Sequence, residues 1–207
     1  MNLRIFLTGV GGQGTLLASR LLGEAALAAG LSPLVSETPG MAQRGGVVIS
    51  TVVLGQWQSP IISPGEADVL LGFEMLETFR ALDRCHKGSL VIANTSTIVP
   101  YSVSTGQSRY PEAERLLGLM AGQVGRLLAF DAGALARQAG TQLAVNMVIL
   151  GALAASGSLP FSGEDLRETV RKLTNPKFLD ANLAAFQMGW EAAENPQNWR
   201  QGHPSGK

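Results

Sequence analysis

The segment Gly9-Val10-Gly11-Gly12-Gln13-Gly14 constrains the fold more than any other part of the chain. It follows the apolar run Leu3–Leu7. It precedes the pattern Thr15–Ala29, in which Leu17, Leu21, Ala25 and Ala28 share a helix face away from Arg20 and Glu24. A buried strand that enters a glycine turn and leaves as a helix is the opening unit of a parallel α/β sheet. Such a turn lets backbone N–H groups approach a ligand, and the helix N-terminus behind it favours negative charge.

The rest of the chain repeats this alternation. Leu31–Ser36, Val47–Leu54, Asp68–Phe73, Ser89–Ala93 and Arg126–Phe130 read as strands. Glu74–His86, Pro111–Met120, Ala132–Ala139, Gln142–Ser156, Gly163–Leu173 and Pro176–Ala193 read as helices, and Tyr101–Tyr110 as an exposed loop. Val47–Leu54 follows the second strand with no helix between, which marks it as an antiparallel or edge strand. The expected fold is α/β: a mostly parallel, Rossmann-like sheet with helices on both faces and a helical C-terminal third. One domain is expected over residues 1–193, with the polar residues 194–207 as a flexible tail.

Composition narrows the function. Sixteen basic residues balance sixteen acidic ones, which speaks against a nucleic-acid or anionic-membrane partner. No apolar stretch approaches the ~20 residues of a membrane span, and the start has no signal-peptide anatomy. The single cysteine, Cys85, excludes an internal disulfide and a self-contained iron–sulfur cluster, and fits a reducing cytoplasm. His86 and His203 lie far apart, so no metal site is expected. A charged fraction of only 15% points weakly to surface buried against a partner.

Gly9, Gly11 and Gly14 match the G-x-G-x-x-G spacing of dinucleotide folds, and Glu37 stands where a ribose-binding acid would follow the second strand. Equally, the glycines can serve only a tight turn and close helix–sheet packing. No Gly-Lys-Ser/Thr follows, so the turn is not a Walker A loop. A second cluster, Glu37-Thr38-Pro39-Gly40-Met41-Ala42-Gln43-Arg44-Gly45-Gly46, frames Gln43 and Arg44 with breakers. Arg44 offers a planar fork for phosphate or carboxylate; the plainer reading is a solvated loop with Arg44 paired to Glu37. Both clusters follow strands and are expected to share one rim.

Three motifs in order, Gly9–Gly14, Gly40–Gly46 and Ser63-Pro64-Gly65-Glu66-Ala67-Asp68 with Glu74 and Arg80, resemble the gamma-type domain of 2-oxoacid:ferredoxin oxidoreductases, in its indolepyruvate branch. The likeness spans Leu3–Ala93 and continues more loosely through Asn146–Gly151 and Asn182–Phe186. Leu54 stands where family subunits often carry an arginine. The resemblance implies an enzyme that oxidatively decarboxylates a 2-oxoacid on thiamine diphosphate with magnesium. Electrons pass through iron–sulfur clusters to ferredoxin, and the acyl group goes to coenzyme A. Thiamine diphosphate and the clusters are expected in a larger partner subunit, in keeping with one cysteine and no Gly-Asp-Gly motif here.

This chain is then expected to be a cytoplasmic accessory subunit, inactive alone, with no catalytic or metal-binding residue of its own. Gly9, Gly11, Gly12, Gln13, Gly14, Gly40, Gln43, Arg44, Gly45 and Gly46 are expected to face coenzyme A or the partner, with Arg44 as the anion contact. A stand-alone NAD(P)- or flavin-binding domain and a non-catalytic assembly module stay open as alternatives. Elsewhere, Cys85 reads as inert at a helix end rather than as a thiol activated by Arg84 and His86, and Glu74, Glu77 and Arg80 as helix-surface pairs, with a rim position near the site as the lesser reading of Glu74. Asn146 reads as structural or interfacial. Trp190 and Trp199 read as partner anchors, with Trp190 equally suited to the core.

Overall fold

The computed structural model describes residues 2–38, 46–97 and 110–201. The sheet is built from β1 (Leu3–Val10), β2 (Pro33–Thr38), β3 (Val47–Leu54), β4 (Ala67–Gly72), β5 (Cys85–Asn94), β6 (Arg126–Phe130) and β7 (Trp199–Gln201). The helices are α1 (Thr15–Ala28), α2 (Met75–Arg80), α3 (Ala113–Ala121), α4 (Ala132–Gln138), α5 (Val145–Ala155), α6 (Gly163–Leu173) and α7 (Leu179–Glu194). Strand order is β2-β3-β1-β4-β5-β6-β7. β1, β4, β5 and β6 form a parallel core. β3 runs antiparallel to both β1 and β2, and β7 antiparallel to β6. Val47–Leu54 is thus antiparallel, as one of its two readings had it, but it lies inside the sheet and β2 takes the edge.

The two-residue strand period divides the buried side chains between two faces. Ile5, Leu7, Val69, Leu71, Leu90, Ile92 and Leu128 pack with α1, α5, α6 and α7. Phe6, Leu70, Val91 and Leu127 point the other way, onto Met75 of α2 and Leu117 and Met120 of α3. Every residue from Val145 to Ala154 is buried, so α5 is apolar all round. It crosses α7 at two glycines. A Cβ on Gly151 would fall 1.9 Å from the Phe186 carbonyl oxygen, and one on Gly189 would fall 1.9 Å from that of Val148. The backbones touch there because neither residue has a side chain.

Three expectations are corrected. The helix read through His86 ends at Arg80, a 3-10 turn covers Ala81–Arg84, and β5 begins at Cys85. The Ser89 hydroxyl explains the early strand: it accepts from the His86 N–H at 2.8 Å and donates to the Ala67 carbonyl at 2.6 Å. Gln142–Ala144 is a 3-10 turn leading into α5 rather than its first turn. The tail expected to be flexible from Glu194 is ordered as far as it is described. Arg126, Leu127 and Leu128 pair with Gln201, Arg200 and Trp199. The Trp199 indole N–H donates to the Ala193 carbonyl at 2.7 Å, and the Arg126 guanidinium lies 5.5 Å over its ring. That pairing sets Gln201 beside the first residue of β6, at the same end of the sheet as Leu3. Residues 202–207, and the expected loop except Tyr110, lie outside the described residues.

Candidate functional site

From β1 the chain moves outward through α1 to β2 and β3, then returns to β4 on the other side of β1. The order reverses between β1 and β4, and a crevice forms outside the carboxyl ends of strands at such a point. The Gly9–Gly14 turn stands there.

The six residues of the turn do different work. A Cβ at Gly9 would meet Gln13 Oε1 and Phe73 Cβ, both at 2.8 Å. Gly14, with φ 76°, caps α1 where a Cβ would lie 2.5 Å from Asn146 Nδ2. Asn146 Nδ2 in turn donates to the Gly14 carbonyl at 3.3 Å, so this asparagine ties α5 to the turn. Around Gly11, by contrast, nothing lies within 4 Å of a built Cβ. Gly9 and Gly14 therefore answer to packing, whereas Gly11 presents bare backbone to open space.

Gln13, expected to face a ligand, is turned inward. Its Nε2 donates to the Phe73 carbonyl at 2.7 Å and its Oε1 accepts from the Val10 N–H at 2.9 Å. Asn94, which sequence reasoning missed, donates to the same carbonyl at 2.9 Å. Its Oδ1 accepts from the Ser96 and Ala132 N–H groups, each at 3.0 Å. Two amides thus lace together the ends of all four parallel strands, with their main donors and acceptors satisfied. The signal for Asn94 was present: a polar residue closing the apolar run Ser89–Ala93 at a strand's carboxyl end.

The second cluster meets the turn at its last residue, where the Gly11 N–H donates to the Gly46 carbonyl at 3.1 Å. Gly40, Gln43, Arg44 and Gly45 lie outside the described residues. The Gly11–Gly12 backbone borders two chambers. One, of about 440 Å³, is mainly apolar, with Val10, Leu16, Leu17 and Val48 in its wall. The other, of about 270 Å³, is mixed: Asn94, Ser96, Thr97, Arg137 and Gln142 line it together with Leu143 and Val145.

Glu37 is not beside the turn. It pairs with Ser50 of β3, and Ser50 pairs with Leu7, so the intervening antiparallel strand carries Glu37 two strands from β1 and level with its middle. Its carboxylate accepts instead from the Ser19 hydroxyl of α1 at 3.2 Å.

Glu74 and Glu77 are buried rather than on a helix surface. Glu74 caps α2, accepting from the Leu76 and Glu77 N–H groups at 2.8 and 3.0 Å, and the Tyr110 hydroxyl donates to it at 2.7 Å. Burial and that carboxylate push the Tyr110 phenol well above its ordinary range. Burial raises the Glu77 carboxyl, against the pull of Arg80 at 2.6 Å. Cys85 stands at the start of β5, away from the crevice, and burial pushes its thiol to about 12.

The Ser63–Asp68 motif belongs to the opposite end of the sheet. Asp68 accepts there from the Arg4 backbone N–H at 2.7 Å, and the Arg4 guanidinium lies 5.0 Å over Trp57. Trp190 packs near Phe186, with ring centroids 6.5 Å apart, and donates to Glu194 at 2.9 Å. With Trp199 held as described, both indoles are engaged within the chain.

Residues 4–192 match the model of the pyruvate ferredoxin/flavodoxin oxidoreductase family. The chain belongs to this family. An Archaeoglobus fulgidus family member, indolepyruvate oxidoreductase subunit IorB, is 40% identical over 193 residues, which cover 93% of this chain and 96% of that protein. A Pyrococcus horikoshii subunit of the same name is 41% identical over 196 residues, covering 94% and 97%. The fold matches the gamma subunit of a keto/oxoacid ferredoxin oxidoreductase from Geobacter sulfurreducens. Its TM-score is 0.69 and its identity 24%, over 93% of this chain and 98% of that one. Among the described residues no helix is long and apolar enough to cross a membrane.

Proposed function

We propose that this chain is the accessory subunit of a 2-oxoacid:ferredoxin oxidoreductase that acts on an aryl 2-oxoacid such as indolepyruvate. The larger subunit of that enzyme carries thiamine diphosphate, its magnesium ion and the iron–sulfur clusters, which supply decarboxylation and electron transfer to ferredoxin. One cysteine cannot supply the four ligands of a cluster, so the reading places the clusters in the larger subunit.

The observation that carries the proposal is the crevice. Its Gly11–Gly12 backbone stands open, and the amides of Gln13 and Asn94 brace it from below. Two titratable groups that follow the strands' carboxyl ends are engaged in structure: Glu74 caps α2 and Tyr110 binds Glu74. That composition suits a surface that positions another subunit's chemistry and contacts coenzyme A, with Arg44 as a candidate anion contact. The same geometry weighs against stand-alone NAD(P) binding, because Glu37 is remote from the turn. Cytoplasmic location follows from the proposed partners.

The test is co-expression with the larger, thiamine- and cluster-bearing subunit. The complex should turn over indolepyruvate with coenzyme A and ferredoxin, and the chain alone should not. Turnover by the larger subunit alone at the same rate would overturn the proposal. Arg44→Ala should raise the KM for coenzyme A in the assembled complex; an unchanged KM with intact assembly would remove Arg44 from the site.

A further inference from the structure

The smaller, mixed chamber has on its wall an exposed cation that the reading so far leaves unused. Arg137 lies in the last turn of α4 and opens onto the space between the Gly11–Gly12 backbone and the Ser96–Thr97 segment. No aspartate or glutamate is among the described residues that line this chamber. Arg137 forms no ion pair with a described carboxylate, whereas Arg4, Arg80, Arg84, Arg167, Arg171 and Arg200 each do. Thr97 and Gln142 add hydrogen-bonding groups on the same walls. Ser96 is oriented otherwise, since its hydroxyl donates to Asp131, whose carboxylate also accepts from the Ala134 N–H. The acid nearest Arg137's helix start is therefore committed to capping, not to the arginine.

We infer that Arg137 is an anion-recognition residue and that its side of this chamber takes a phosphate of the nucleotide co-substrate. The inference rests on the proposal that coenzyme A meets this rim. A guanidinium fork matches a phosphate bidentately, and its charge is permanent. About 270 Å³ admits a phosphate with part of the group that bears it. The chamber's floor is preorganised because Asn94 and Gln13 are locked to the Phe73 carbonyl, so little ordering accompanies binding. The apolar chamber across the Gly11–Gly12 backbone gives the same ligand, or the larger subunit, a greasy counterpart.

The experiment uses the assembled complex and coenzyme A as the varied substrate. Arg137→Gln should raise the KM for coenzyme A about tenfold or more, the usual worth of a charged hydrogen bond. The KM for the 2-oxoacid and the turnover number should hold, and Arg137→Lys should recover part of the loss. In the wild-type complex, coenzyme A should protect Arg137 from phenylglyoxal, read by peptide mass mapping. Gly11→Leu serves as the control, since its Cβ meets nothing within 4 Å and its side chain projects from the turn into the crevice. If Gly11→Leu raises the KM for coenzyme A and Arg137→Gln does not, the assignment of Arg137 fails and the co-substrate reading of the rim survives. If neither changes it and no protection is seen, that reading falls and takes this inference with it. Loss of assembly in Arg137→Gln with unchanged constants in the residual complex would mean that Arg137 meets a partner carboxylate, which also overturns the inference.

Discussion

Gln13 and Asn94 direct their amides at one backbone carbonyl, that of Phe73, and so join four strand ends through two side chains. Asn94→Leu keeps the volume but takes the acceptor from the Ser96 and Ala132 N–H groups and leaves the Phe73 carbonyl with Gln13 alone. A loss of roughly 2–4 kcal/mol is expected, measured by urea unfolding. Cys85 illustrates a different principle. With its thiol near 12, alkylation by iodoacetamide at pH 8 should run roughly two to three orders of magnitude slower in the native protein than in urea. Glu77 gives a pH signature. Its carboxyl is raised above the ordinary 4.5. Its contribution to stability is thus fully present below the unfolded pKa and lost as pH rises through the folded one. Glu77→Gln should therefore gain on the wild type as pH climbs above about 4.5, and a flat difference in melting temperature between pH 4 and 8 would contradict this.

The elements differ in how plainly the chain announces them. Thr15–Ala28 was readable because a glycine turn opens it, a regular apolar face runs through it and Gly30 follows it. The parallel strands were readable as short apolar runs. The length of α2 was not, because Leu82 continues an apolar period whose helical course stops at Arg80. What ends it is tertiary: the Ser89 hydroxyl recruits His86 and Ala67 into the sheet from outside the local window. The last strand was hidden for a similar reason, since Trp199–Gln201 is short and polar and only its partner β6 makes it a strand. The α5–α7 crossing is the most exacting contact between elements. Gly189→Ala, innocuous on helix propensity, should cost about 3 kcal/mol or more by driving a methyl into the Val148 carbonyl, and thermal unfolding would measure it.

For the molecule as a whole, the insertion of β3 between β1 and β2 separates this sheet from a dinucleotide fold that shares its first turn. The glycine spacing alone could not distinguish the two, because the distinction lies in which strand neighbours β1. Calorimetry on the isolated chain should accordingly show no NAD(P) binding; a micromolar dissociation constant would contradict the assignment. The meeting of Gly46 with the first turn was legible from topology, and the role of each glycine in that turn was not, because only neighbours remote in sequence, such as Phe73 and Asn146, assign it.

Leu3 and Gln201 emerge from one end of the sheet, and the crevice opens at the other. Across the intervening strands these two points stand roughly 20 Å apart. A group attached to either residue, whether an affinity handle or a surface tether, starts its path on the far side from the Gly11–Gly12 backbone. A tether attached at Leu3 or Gln201 thus leaves the crevice facing solution.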